Sequence, residues 1–136
     1  MDYDRQDFVN ELERAWLAAG AVVPGWFMAL DWRSAFGAVA GLPYVSEKID
    51  SIRNPAATIA AGGDCEDKAL LLACWARGRA PVRFVVGRGD VRSGAVYHVF
   101  CELKTFAGEL PLDATYPENL PGYYYSPVIY RGKWLL

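Results

Sequence analysis

Histidine occurs once in this sequence, at position 98, and cysteine three times, at 65, 74 and 101. Three cysteines at spacings of nine and 27 residues make no disulfide framework, and a reduced, cytoplasmic setting fits them better. They lack any C-x₂₋₄-C pair, so with His98 they do not read as a zinc site either. Long apolar runs are missing too. The stretch 18–30 is broken by Gly20, Pro24 and Gly25 and is too short to span a bilayer. The first residues, MDYDRQDF, are acidic and polar and carry no secretory signal. With 14 basic and 16 acidic side chains the net charge is −2, a field that recruits neither nucleic acid nor an anionic membrane. Internal repeats, low-complexity tracts and linkers are absent.

What is present is core-forming material. The chain has 136 residues, 53% of them hydrophobic and 14% aromatic, which suits one domain burying roughly two-thirds of its unfolded surface. Apolar residues at Phe8, Leu12, Trp16 and Ala19 predict a helix over 4–19. Pro24-Gly25 interrupts, and 26–40 predicts a second helix, broken by Gly41-Leu42-Pro43. A polar segment, 46–53, and a small-residue approach, 56–61, lead to a third helix. After Gly78 and Pro81 the period changes: strands are predicted at 82–86, 95–103 and 110–114, and a last one within 123–136. Gly87–Gly94 reads as a turn region, with Arg88-Gly89-Asp90 in a hairpin turn. Helices first and strands afterwards predict an α+β fold, a helix layer on a mostly antiparallel sheet.

The stretch around which the rest is organised is Gly62–Ala76, GGDCEDKALLLACWA. Two glycines permit a close backbone approach, Asp64 reads as an N-cap, and Asp67 lies in the first turn. The residues that follow are apolar on nearly every face, as in a buried helix. Cys65 then occupies the first helical turn, where open N–H groups and the helix dipole favour a thiolate. Cys74, about half a turn round from Cys65, reads as core.

His98 lies in the strand 95–103, where alternation places His98, Phe100 and Glu102 on one face and Tyr97, Val99 and Cys101 on the other. Cys101 is therefore a poor partner for His98. A carboxylate is needed to hold the imidazole in one tautomer. Glu102 lies about 13 Å along the strand from His98. Asp113, at the end of the next strand, is the better candidate.

Gly63-Asp64-Cys65-Glu66-Asp67 opening an apolar helix, then the His98 strand, then Pro111-Leu112-Asp113-Ala114-Thr115, resembles the transglutaminase-like superfamily over about half the chain, 54–117. The resemblance implies a papain-like core, circularly permuted, with Cys65 as nucleophile, His98 as base and Asp113 as orienting residue. It implies a cysteine peptidase or amidase working through an acyl-enzyme, with a thiolate–imidazolium resting state. The alternatives are a protein-glutamine amine transferase and a non-catalytic binding or assembly module of the same fold, for example in a phage particle. A peptide or protein is the expected partner, with a phage or cell-envelope assembly as a further one. The setting is cytoplasmic, or virion-associated if phage-encoded. The family's oxyanion hole includes an upstream tryptophan indole, for which Trp32 is the candidate and Trp26 the runner-up. Tyr97 and Tyr124 are candidates for substrate binding. Some bacterial relatives bind calcium near the cysteine, where Asp64, Glu66 and Asp67 would supply oxygens; capping the helix is the preferred reading, and no metal or cofactor is expected. The basic stretch Arg77, Arg79, Arg83, Arg88 and Arg92 reads as a solvated rim.

Overall fold

A computed structural model describes residues 5–19, 23–45, 52–90 and 95–136. Five helices precede four strands: α1 (Arg5–Ala18), α2 (Gly25–Met28), α3 (Trp32–Ala40), α4 (Pro55–Ala61), α5 (Cys65–Ala76), β1 (Val82–Asp90), β2 (Ala95–Thr105), β3 (Gly108–Leu112) and β4 (Val128–Arg131). The strands form one sheet in the order β3-β2-β1-β4, and every neighbouring pair is antiparallel. The α+β architecture is the one expected from helices first and strands afterwards.

α5 is the hub. Every residue from Asp67 to Ala76 is buried, and α5 lies against β2 on one side and α1, α3 and α4 on the others. Leu70, Leu71 and Leu72 point to different sides of this helix, and burying each contributes roughly 1.5–3 kcal/mol. Polar ends of large rings are tied off within the core. Trp16 Nε1 donates to the Ala73 carbonyl at 2.8 Å, fixing α1 on α5, and Trp75 Nε1 donates to the Leu30 carbonyl at 2.9 Å.

Three elements differ from expectation. The segment 26–40 is two helices, because Asp31, in extended backbone, accepts from the Ser34 N–H at 2.8 Å and starts α3 afresh. The small-residue approach is the helix α4, capped by Asn54 and carrying Pro55 in its first turn. Arg88-Gly89-Asp90 is strand and not turn, since β1 pairs with β2 through Gly87↔His98, Arg88↔Tyr97 and Asp90↔Ala95. The last strand is four residues long, and 123–127 is a loop laid over the sheet. Most of the polar segment 46–53 falls outside the described residues.

Candidate functional site

The entrance to α5 explains its glycines. Gly62 sits at φ +85°, and a β-carbon there would lie 2.2 Å from the Pro43 carbonyl oxygen; one on Gly63 would lie 2.6 Å from Asp67. This close approach lets the Gly63 N–H donate to Pro43 and the Gly63 carbonyl accept from the Val45 N–H. Asp64 and Asp67 then form a reciprocal capping box: Asp64 Oδ1 accepts from the Asp67 N–H at 3.2 Å, and Asp67 Oδ2 from the Asp64 N–H at 3.1 Å. Asp67 Oδ1 also accepts from the Arg53 N–H at 2.7 Å. Both carboxylates are thus engaged in building the helix start. Among the described residues, no group of three or more His, Cys, Asp or Glu is placed to hold a metal ion.

Cys65 is the first residue of that helix and is buried. Its sulfur accepts a hydrogen bond from the Val99 N–H, the amide that joins Val99 to His98. β3 pairs with β2 only as far as Cys101↔Leu112, so it stops short of Val99. The thiol is held against the histidine strand by backbone. Its electrostatics reverse the expectation of a lowered pKa. Burial pushes the thiol well above its ordinary value, the Glu66, Asp64 and Asp113 carboxylates add to that, and the Val99 N–H opposes them. Desolvation outweighs the helix start and favours the thiol form.

His98 is buried on β2, with Nε2 at 2.7 Å from Asp113 Oδ2. Asp113 follows the last residue of β3, and antiparallel pairing brings it level with the histidine strand. Its other oxygen, Oδ1, accepts from the Thr115 hydroxyl at 2.7 Å and the Thr115 N–H at 3.3 Å; Asn119 Nδ2 donates to the Asp113 carbonyl at 3.1 Å. The carboxylate is fully buried, held on one side by a turn, and presents its remaining oxygen to the imidazole. An imidazole that donates Nε2–H to such a carboxylate keeps its lone pair on Nδ1, ready to take a proton. Because Asp113 also raises the Cys65 thiol electrostatically, all three groups lie within one field.

His98 and Asp113 open onto a cavity of about 690 Å³, walled also by Arg88, Tyr116, Glu118, Asn119 and Tyr125. Cys65 is not part of that wall. Three sequence candidates stand elsewhere. Trp32, at the start of α3, faces a neighbouring groove with Pro117 and Leu120, and Arg33 stacks on its ring. Tyr97 belongs to the other face of β2 and is 43% exposed. Tyr124 is spent on the carboxylate of Glu102, to which its hydroxyl donates, and its ring meets Phe100 edge-on. Glu102 itself takes Arg83 and Arg131. Sequence reasoning missed Thr115, Asn119 and Tyr116. A hydroxyl residue two places after an aspartate is a recognisable local turn signal; nothing local marks the other two.

No family model and no curated protein matches this chain. A solved structure does. A candidate cysteine protease from Cytophaga hutchinsonii is similar over 97% of the chain, with a TM-score of 0.54 at 20% sequence identity. The likeness shows the fold, and the chain spans 44% of that protein's length.

Proposed function

We propose that the protein is a cysteine-nucleophile hydrolase of amide or peptide bonds, in which Cys65 attacks, His98 moves the proton and Asp113 orients His98. The observation that carries this reading is the shared neighbourhood of the three groups: Asp113 is bonded to His98 and acts on the thiol of Cys65, whose sulfur takes the amide N–H beside His98. The likeness in fold to a candidate cysteine protease supports it. Since burial favours the thiol, His98 Nδ1 takes the Cys65 proton as the sulfur bonds to the substrate carbonyl carbon. Backbone N–H groups at the start of α5 face the developing oxyanion. His98 returns the proton to the leaving nitrogen as the C–N bond breaks, and water activated by the same imidazole releases the acyl group.

One observation favours a second reading, a non-catalytic binding module of the same fold. Cys65 is buried and stands outside the wall of the cavity onto which His98 opens. The two are separated by assaying the wild type and Cys65→Ala on fluorescein-labelled casein, a coumarin-amide peptide library and dansylcadaverine incorporation into casein. Cleavage that vanishes in Cys65→Ala supports the hydrolase, and incorporation without cleavage supports the amine transferase. Turnover in none of the three assays favours the binding module.

A further inference from the structure

Lys68 is, among the described residues, the buried member of the lysines and arginines, at 1% exposure. It lies three residues after Cys65 on α5, so the two share one side of the helix. Among the described residues, its ammonium faces no carboxylate at hydrogen-bond distance. Instead Nζ donates at 2.8 Å to the Leu42 carbonyl, after α3, and at 2.8 Å to the Thr115 carbonyl, after β3. Burying an ammonium is costly, and a methionine would fill a similar volume without that cost. The cost is visible: burial lowers Lys68 to about 8, with Asp113 acting in the opposite direction. What the amine supplies and a methionine does not is a cross-tie between backbone segments.

The segment it ties is the one that sets Asp113. The same Thr115 whose carbonyl is held by Lys68 gives its hydroxyl and its N–H to Asp113 Oδ1, and Asp113 Oδ2 meets His98 Nε2. We propose that Lys68 is a positioning residue, its ammonium anchoring Thr115 to the helix that carries Cys65 and, through Thr115, fixing Asp113 on the imidazole of His98. The consequence for catalysis rests on the roles proposed above for Cys65, His98 and Asp113. Lys68 itself touches no reacting atom.

His98 is the sole histidine, so its ring nitrogens can be read directly by ¹⁵N NMR without assignment ambiguity. Wild type, Lys68→Met, Lys68→Arg and Thr115→Val are compared for His98 tautomer, thermal midpoint and iodoacetamide reactivity at Cys65. The wild type is expected in the Nε2–H form. Lys68→Met is expected to move His98 to a mixture of tautomers and to slow Cys65 alkylation about tenfold to a hundredfold, the usual consequence of a misplaced catalytic group. Lys68→Arg restores the Nε2–H form in part. Thr115→Val keeps the carbonyl that Lys68 holds but removes the hydroxyl, and it is expected to disturb His98 in the same way. A folded Lys68→Met with an unchanged His98 tautomer overturns the proposal, because Lys68 is then only a structural staple. If Lys68→Met does not fold, an unperturbed His98 in Thr115→Val overturns it equally. Alkylation that ignores His98 while the tautomer still follows Lys68 sinks the catalytic reading and leaves the positioning role standing.

Discussion

Glu102, in β2, and Asp113, just past β3, are two buried carboxylates, each with no exposed side-chain surface, and they are held in opposite ways. Glu102 receives Arg83 Nε at 2.8 Å, Arg131 Nε at 3.1 Å and the Tyr124 hydroxyl. Burial pushes its carboxyl up, but the bonds from Tyr124, Arg131 and Arg83 outweigh this and hold it below the usual carboxylate range. Asp113 has an imidazole, a hydroxyl and an amide N–H, and takes no guanidinium among the described residues. A carboxylate neutralised by two guanidinia is a tie between strands: here it joins β1, β2, β4 and the loop bearing Tyr124. A carboxylate without a guanidinium partner, bonded to a hydroxyl and an amide N–H, presents its other oxygen to the ring it faces. The first arrangement makes structure and the second can tune a base.

The sharpest way to break this comparison is Asp113→Asn. The amide retains an acceptor but reverses the preferred tautomer, so amide hydrolysis is expected to fall by about 10³–10⁴-fold. The cost to stability is expected to be about 1 kcal/mol by urea denaturation. Glu102→Gln should do the reverse. Leaving Arg83 and Arg131 without their carboxylate is expected to cost about 3 kcal/mol, with turnover within about tenfold of wild type. If Glu102→Gln abolishes turnover at unchanged stability, the division of labour is wrong.

The opposite face of β2 and the helix above it supply a control, since burial dominates the thiols there. Burial, opposed by Arg77, raises the Cys74 thiol from 9.0 to about 11, and burial raises Cys101 further. The folded state therefore keeps protons that the unfolded chain loses above about pH 9, and stability is expected to fall as pH rises from there toward 11. Cys74→Ala removes one such proton and should flatten the decline by about 1.4 kcal/mol per pH unit, read from urea midpoints at pH 8 to 10.5. An unchanged slope would show that Cys74 is not protonated through burial. Tyr124→Phe is the smallest perturbation: it removes one hydroxyl from Glu102 and is expected to cost about 1 kcal/mol, without effect on the pH dependence of turnover.

Much of this arrangement was legible in the chain because its signals are local. The capping residues Asp64 and Asp67, the paired glycines and the apolar run after them define α5 within a few residues, and the turn that follows the His98 strand brings Asp113 back beside it. The illegible parts depend on distant partners. Asp31 restarting a helix competes with an apolar pattern that runs straight through it. Arg88-Gly89-Asp90 has turn composition but is drawn into β1 by pairing with β2, and Ser126 packs so closely on Gly87 that a β-carbon there would lie 2.6 Å away. Trp32 was a candidate by family resemblance and Tyr97 and Tyr124 by residue type, and neither says which groove a ring faces. The rise of the Cys65 thiol follows from burial among carboxylates, a property of the assembled core that no helix-start motif contains.

The account stands on His98 acting on Cys65, and competitive alkylation tests that most directly. Native protein is treated with iodoacetamide from pH 5 to 9, and the three cysteine-bearing peptides are quantified by mass spectrometry in wild type and His98→Ala. The expected result is modification of Cys65 ahead of Cys74 and Cys101, with that lead lost in His98→Ala and the other two unchanged. Cys65 reacting as slowly as its two neighbours, and indifferent to His98, would contradict it.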